Sequence, residues 1–229
     1  MISRWLTRFI LPCCLTCGTP EVVGLCDVCA DRLPAIGKHC PTCANSVADD
    51  HYPCGACLRR PPAFSRLLVR WQFTTEVRHI ILRGKYHADR CALRVLEDEA
   101  CRLLRAQPVA VDAVVAMPVS AQRLRQRGFN QTLYPAHAAA QALGVPLIAE
   151  GVFAKAGRPP QSRLRTHAAR RRNIRGAFAV RGELPQRLLL VDDVVTSGAT
   201  LHEAARILAA AGVQEIIALA VAAAHRPHP

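Results

Sequence analysis

Nine of the 11 cysteines lie within the first 57 residues, and eight of these nine form four C-x2-C pairs. Two thiolates separated by two residues can hold one metal ion from a tight turn, and two such turns complete a tetrahedral zinc site. A segment this short has too little hydrophobic core to fold alone, so metal binding would supply its folding energy. The sequence therefore predicts a small double zinc-ribbon module at residues 1–60, in which two structural Zn2+ ions have the ligands Cys14, Cys17, Cys26, Cys29, Cys40, Cys43, Cys54 and Cys57.

The spacing leaves alternatives to this zinc arrangement open. Disulfides would require an oxidising compartment, but the start of the chain, MISRWLTRFILPCC, lacks a long apolar stretch because Arg4 and Arg8 interrupt it. No window approaches the ~20 uncharged apolar residues of a membrane-spanning helix. We therefore expect a cytoplasmic protein with reduced thiols and no membrane insertion. The simplest pairing puts the first four cysteines on one ion and the last four on the other, and a cross-braced pairing also fits the spacing.

The cysteine-rich stretch ends at a proline-containing linker, LRRPPAF, at residues 58–64. Tandem prolines break regular structure, so we place a domain boundary near residue 60 and a second domain at residues 61–229. Helical stripes separate most of the apolar runs of this second part. The alternation predicts an α/β fold, with a mostly parallel sheet flanked by helices on both faces. Strands are predicted at 66–73, 111–119, 187–195 and the final apolar run VQEIIALAVAAAH, with a strand or extended piece at 146–153 (PLIAEGVF).

The stretch LLLVDDVVTSGAT, at residues 188–200, joins a buried strand, two adjacent acids and a turn of small residues. Ligands of open α/β sheets bind beyond the carboxyl ends of the strands, where Asp192 and Asp193 are expected to lie. The turn enters a helix whose N-terminal N–H groups and dipole favour a phosphate, and Gly198 allows a close backbone approach. Two carboxylates beside a phosphate need partners of their own, and sugar hydroxyls or Mg2+ fit that need.

This stretch resembles the 13-residue signature of type I phosphoribosyltransferases. The resemblance implies that Asp192 and Asp193 are catalytic acids, which contact the ribose hydroxyls of phosphoribosyl pyrophosphate (PRPP). It also implies that the turn binds the 5′-phosphate through Thr196, Ser197, Gly198, Ala199 and Thr200.

Other segments extend the resemblance over almost the whole chain. The N-terminal cysteine pairs are followed in order by LRGKYH, MPVSAQRLRQRGFNQ, PPQSRL, RRRNIRGAF and VDDVVTSGAT. This arrangement resembles the ComF family, which includes ComFC-like and GntX-like proteins. The resemblance implies a type I phosphoribosyltransferase-like domain behind a double zinc ribbon, with a link to DNA uptake in natural competence.

Further PRPP-binding residues are expected in two neighbouring segments. In type I phosphoribosyltransferases the loop after the 111–119 strand binds pyrophosphate, and Lys85 and Arg127 could reach the same group, since arginine grips phosphate in a bidentate manner. A surface lysine at a helix end and a solvated helix face are the alternative interpretations of these two residues. By position, the pyrophosphate loop corresponds to Met117, Pro118, Val119 and Ser120.

The basic character of the chain leaves two functions open. The net charge is +13, and residues 158–175 hold seven arginines and no acid, which predicts a flap over a phosphorylated ligand or a strip for a nucleic-acid backbone. The first function is binding of Mg-PRPP by a phosphoribosyltransferase, a glycosyltransferase with an unknown acceptor. The second is a non-catalytic adaptor for DNA uptake, which keeps the PRPP-binding fold and binds single-stranded DNA or a competence translocation protein. A homo-oligomer is compatible with both.

Overall fold

The computed structural model of the protein describes residues 12–155 and 177–224. No helix in these two ranges combines the length and the apolar character that crossing a bilayer requires. The helices of the described part are α1 (Asp27–Arg32), α2 (Gly55–Arg59), α3 (Thr75–His87), α4 (Arg90–Ala106), α5 (Ala121–Arg127), α6 (Leu133–Leu143) and α7 (Ala199–Ala210). The strands are β1 (Arg66–Gln72), β2 (Ala113–Ala116), β3 (Phe153–Lys155), β4 (Phe178–Val180), β5 (Arg187–Val195) and β6 (Glu215–Ala223).

The main sheet has four strands in the order β1–β6–β5–β2, and all three pairings are parallel. Successive side chains of a strand point to opposite faces. In β5, Leu188 and Leu190 therefore pack with α7, whereas Leu189 and Val191 pack with α4 and α6. All four leucine and valine side chains are fully buried. The predicted fold class, a parallel sheet with helices on both faces, is confirmed.

Two predicted strands are shorter in the structure than in the prediction. The strand expected at 111–119 spans only Ala113–Ala116. Met117 N–H still donates to the Val191 carbonyl (2.8 Å), but Pro118 has no N–H with which to continue the ladder. The segment PLIAEGVF is mostly irregular. Leu147 forms a single parallel bridge with Val114, and Phe153 begins β3.

The strands β3 and β4 form a separate antiparallel hairpin outside the main sheet. The rings of Phe153 and Phe178 stack with their centroids 5.4 Å apart, and both side chains are buried in the same cluster as Leu201 of α7. Such aromatic pairing adds to the burial that anchors the hairpin. The hairpin is therefore fixed over the α7 face of the sheet.

The cysteine-rich module packs against the outer edge of β1. Ala35 forms an antiparallel bridge with Trp71, Ile36 N–H donates to the Arg70 carbonyl (3.0 Å), and Gln72 N–H donates to the Pro34 carbonyl (2.9 Å). An uncovered edge strand exposes a row of unpaired backbone groups. The module therefore covers the β1 edge, and the boundary near residue 60 stays a prediction.

Buried Glu99 of α4 links the first half of the module to the sheet. Its carboxylate accepts a hydrogen bond from Arg70 (2.9 Å) and pairs with Arg102 (3.4 Å), and these arginines in turn pair with Asp31 and Asp27 of α1. Burial raises the pKa of Glu99, and the Arg70 guanidinium opposes that shift. A buried carboxylate needs such partners because desolvation is costly.

Candidate functional site

The two adjacent acids of β5 point to opposite faces of the sheet, as a pleated strand requires. The strand continues to Val195, two residues beyond the acids, and α7 begins at Ala199. Between them Gly198 has a φ of 68°, in the left-handed region that favours glycine. A Cβ atom at Gly198 would meet no other atom within 4 Å, so the turn borders open space.

Asp193 is buried and has a partner for each carboxylate oxygen. Lys85 Nζ lies 3.0 Å from Oδ1, and Gln131 Nε2 donates to Oδ2 at 2.7 Å. Lys85 is in the last turn of α3, and Gln131 lies between α5 and α6. The fold thus holds this acid in one orientation with residues that lie far apart in the sequence.

Asp192 is half-buried and faces the cleft from the other side of the strand. Its Oδ1 accepts a hydrogen bond from the Asp193 N–H at 2.9 Å. Burial, followed by the negative charge of Asp193, raises the pKa of Asp192 to about 7, against the opposing effects of Lys85 and Lys155. Asp192 is therefore the acid of the pair with an oxygen available for a ligand.

A cleft of about 160 Å3 opens at the carboxyl ends of β2 and β5. It brings together most of the residues expected to bind PRPP: Lys85, Met117, Pro118, Val119, Arg127, Asp192, Asp193, Thr196, Ser197, Gly198 and Thr200. Two expected residues do not line it. Ser120 caps α5 by accepting a bond from the Arg123 N–H (3.3 Å), and Ala199 is the first residue of α7.

Arg127 is held at the rim of the cleft by two neighbours. Its guanidinium lies over the Tyr86 ring, 4.6 Å from the centroid, and donates to the Tyr86 hydroxyl (3.2 Å) and to Gln131 Oε1 (3.1 Å). The arginine therefore lies on the Asp193 side of the cleft.

Several residues that shape the cleft escaped the sequence prediction. Asn130 is buried and donates to the Met117 carbonyl (3.2 Å), which holds the loop after β2 in place. Gln131 and Thr132 line the cleft from the start of α6, and Lys155 enters it from β3. The sequence FNQ at residues 129–131 could have indicated Asn130 and Gln131 as site residues. A lone lysine at a strand end, such as Lys155, gives no such signal.

The predicted arginine-rich flap at 158–175 lies outside the described residues.

The two sets of four cysteines fit structural metal sites. Within each set the four sulfur atoms all lie within 4.8 Å of one another. The Sγ atoms of Cys17 and Cys26 are 3.7 Å apart, as are those of Cys43 and Cys54. A tetrahedral zinc with Zn–S bonds of about 2.3 Å has sulfur–sulfur edges of about 3.8 Å, whereas a disulfide would require about 2.05 Å.

The sets follow the simplest pairing, with the first four ligands together and the last four together. In each set a backbone N–H points at a sulfur: Cys26 N–H donates to Cys14 Sγ (3.4 Å), and Cys54 N–H donates to Cys40 Sγ (3.2 Å). Donors of this kind stabilise a thiolate over a thiol. Zinc at these closed sites would hold the module folded and would leave no position for a substrate.

Comparison with known proteins bears on the fold of the second part of the chain. The family model of the phosphoribosyl transferase domain matches residues 132–228. An orotate phosphoribosyltransferase from Aeropyrum pernix is 20% identical over 58% of this chain and 60% of that chain, with a TM-score of 0.36. The topology, the cleft and the matched domain together define a domain of the phosphoribosyltransferase fold. This domain follows a module with two clusters of four cysteines.

Relatives that share most of the chain narrow this class. The DNA utilization protein YhgH of Salmonella typhimurium is 29% identical over 85% of this chain and 89% of that protein. Competence protein F of Haemophilus influenzae is 26% identical over 84% and 87%, and competence protein ComFC of Bacillus subtilis is 26% identical over 80% and 77%. Over most of its length the chain is therefore similar to proteins named for DNA utilization and competence, as its motifs indicate.

Proposed function

We propose that the cleft binds Mg-PRPP and that the protein transfers its phosphoribosyl group to an acceptor. The observation that carries the proposal is the convergence of three features on one cleft. These are the acids of β5, the open turn at 196–198 with Thr200 in the first turn of α7, and the loop at 117–119 after β2. A phosphate, a sugar and a second phosphate group need these three kinds of surface side by side.

Each feature has a separate task in this proposal. The turn before α7 would hold the 5′-phosphate with backbone N–H groups and the hydroxyls of Thr196, Ser197 and Thr200. The Asp192 carboxylate would accept hydrogen bonds from the ribose hydroxyls. Lys85 and Arg127 would add positive charge beside the pyrophosphate, with Lys85 kept in place by Asp193.

The reaction would be a displacement at the anomeric carbon of the ribose. The acceptor atom gives an electron pair to this carbon, the bond to the pyrophosphate oxygen breaks, and pyrophosphate leaves with that pair. The acceptor's proton passes to solvent. Mg2+, held by oxygens of PRPP, would supply further positive charge for the leaving group. The chain's own part is to orient the ribose and to stabilise the developing charge with fixed cations.

Calorimetric titration of the zinc-loaded protein with PRPP, with and without Mg2+, tests this proposal. We expect Mg-dependent binding that Asp192→Asn weakens at least tenfold. Asp98→Asn, which changes an acid on α4 outside the cleft, is the matched control and should bind as the wild type does. Absence of binding by folded wild-type protein would refute the proposal.

A second function, an adaptor role in DNA uptake, is favoured by a surface beside the cleft. Helix α5 has no buried residue, Arg123 and Arg125 are exposed on it, and its neighbours Tyr86 and Tyr134 are 61% and 38% exposed. Exposed aromatic rings among arginines suit the stacking and backbone contacts of single-stranded DNA. The names of the relatives, which refer to DNA utilization and competence, point the same way.

The zinc module offers a surface for a protein partner in this second function. Val28, Tyr52 and Leu58 are at least 60% exposed on it. We propose a competence translocation protein as the partner. A steep fall of DNA affinity with salt, and its loss in Tyr134→Ala at unchanged PRPP affinity, would favour the adaptor. Release of pyrophosphate with a defined acceptor would favour the transferase.

A further inference from the structure

Lys155 is a cation that the described hairpin brings into the cleft. It is the last residue of β3, it lines the cleft, and its Nζ lies 5.6 Å from the centroid of the Phe178 ring. Phe178 is buried and stacked on Phe153, so the platform under the lysine stem is rigid. The ammonium group therefore lies beside a ring that the core holds in place.

This ammonium group has no salt bridge within residues 12–155 and 177–224, although it is half-buried. The other cleft lysine, Lys85, pairs with Asp193 at 3.0 Å. Burial lowers the pKa of Lys155, and Arg123 lowers it further, while Asp192 opposes both effects. Apart from this effect of Asp192 at longer range, the partly desolvated cation has no direct ion pair in the described ranges, which is costly, and a ligand's negative charge would offset that cost.

Lys155 lies on a different side of the site from the cations already assigned to pyrophosphate. Lys85 and Arg127 contact Asp193 and its partner Gln131, on the α3 and α6 face of the sheet. The β3–β4 hairpin packs on the opposite, α7 face, which is the face of Asp192. In the proposed reaction pyrophosphate lies beside Lys85 and Arg127, so a group that attacks the anomeric carbon would approach from the opposite side, which is the side of the hairpin.

We propose that Lys155 binds an anionic group of the acceptor, so that the acceptor of this protein is a carboxylate-bearing or otherwise anionic small molecule. This inference rests on the proposed function. The acceptor's charge pairs with the ammonium group, and its nucleophilic atom forms the new bond as pyrophosphate leaves. Neutral acceptors of the same shape would leave the cation unpaired, and the site would discriminate against them.

Matched pairs of acceptors test the inference. Pyrophosphate release from Mg-PRPP, and calorimetric binding to the PRPP-loaded protein, would be measured with nicotinate against nicotinamide, orotate against uracil, and anthranilate against aniline. We expect binding or turnover with a carboxylate and at least tenfold less with its neutral partner. Lys155→Met should lose that preference, Lys155→Arg should keep it, and Lys38→Met, at an exposed lysine of the zinc module, should behave as the wild type.

PRPP affinity separates this inference from the proposed function. We expect Lys155→Met to bind Mg-PRPP within about threefold of the wild type while the carboxylate preference disappears. A loss of PRPP affinity in Lys155→Met would assign the lysine to PRPP and overturn the inference, as would equal responses to charged and neutral partners or no response to any carboxylate. If wild-type protein does not bind Mg-PRPP, the proposed function itself fails and the inference with it.

Discussion

Removing Lys85 should strongly destabilise the folded protein, because it would leave the Asp193 carboxylate buried beside Gln131 alone. The side chains of Lys85 and Asp193 are only 18% and 5% exposed, and their ion pair is 3.0 Å long. Breaking a buried pair by removing one partner typically costs about 3–5 kcal/mol. For a chain of this size each kcal/mol lowers Tm by about 2–4 °C, so Lys85→Met should melt roughly 6–20 °C below the wild type.

A double-mutant cycle distinguishes the lost pair from a loss of packing. Thermal and urea unfolding would be measured at pH 7 for Lys85→Met, Asp193→Asn and the double variant. The double variant should recover much of the stability, because neither charge remains buried alone, and the coupling should exceed about 1 kcal/mol. Lys38→Met is the control for removing a lysine and should melt within about 2 °C of the wild type, because surface substitutions change stability by at most about 0.5 kcal/mol. A cost for Lys85→Met below about 1 kcal/mol with no coupling would refute the argument that the pair is desolvated.

Three further predictions concern the acids, the turn and the cysteines. The pKa of Asp192 is raised from 3.8 to about 7, so ionisation of this buried acid costs stability above pH 4, and the cost is largest at pH 7 and beyond. The variant Asp192→Asn should therefore have a higher Tm than the wild type above pH 7, and the two Tm values should converge below pH 4. A Tm difference that stays the same across this pH range would contradict the raised pKa. Gly198→Ala places a side chain on a residue with a φ of 68°, which should lower the free energy of unfolding by about 1–2 kcal/mol and weaken Mg-PRPP binding. Gly37→Ala, at a glycine with an ordinary φ, should change neither quantity in the same melting and titration assays. Elemental analysis of the protein as isolated should give two zinc ions per chain. Cys40→Ser should lose one zinc ion and have a lower Tm, whereas Cys13→Ser, at an exposed cysteine outside both clusters, should keep both ions. A zinc content that Cys40→Ser does not change would rule out the second site.

The local parts of the structure could be predicted from the sequence because their signals are local. Four C-x2-C pairs place eight thiolates at a metal-binding spacing, whatever the rest of the chain does. The apolar runs of β1, β5 and β6 are long enough to be recognised as buried strands, and the observed bounds lie within two residues of those predicted for 66–73 and 187–195. The acids and the turn after them follow β5 directly, so their place at the end of the sheet follows from the strand.

The errors in the strand predictions arose where the backbone had no partner to pair with. Apolar composition alone extends the strand at 111–119 over Pro118, but a ladder needs an N–H at every second position and stops before the proline. The segment 146–153 is apolar enough for a strand, but only residues 146–148 pair with β2, through the bridge between Leu147 and Val114. Hydrophobicity predicts burial, whereas strand pairing depends on which segments become neighbours in the folded protein.

The sequence by itself determined the two cysteine clusters, the alternation that produces a parallel sheet, and the position of the two acids and the turn after them, because each depends on residues that are close along the chain. Only the tertiary structure decided which acid is free. Asp193 is taken by Lys85 and Gln131, which lie 108 and 62 residues away, whereas Asp192 is left facing Lys155 on a hairpin that a separate core cluster holds over the cleft. Contacts between elements so distant in sequence depend on how the helices and the hairpin pack on the two faces of the sheet, and no local pattern encodes that packing.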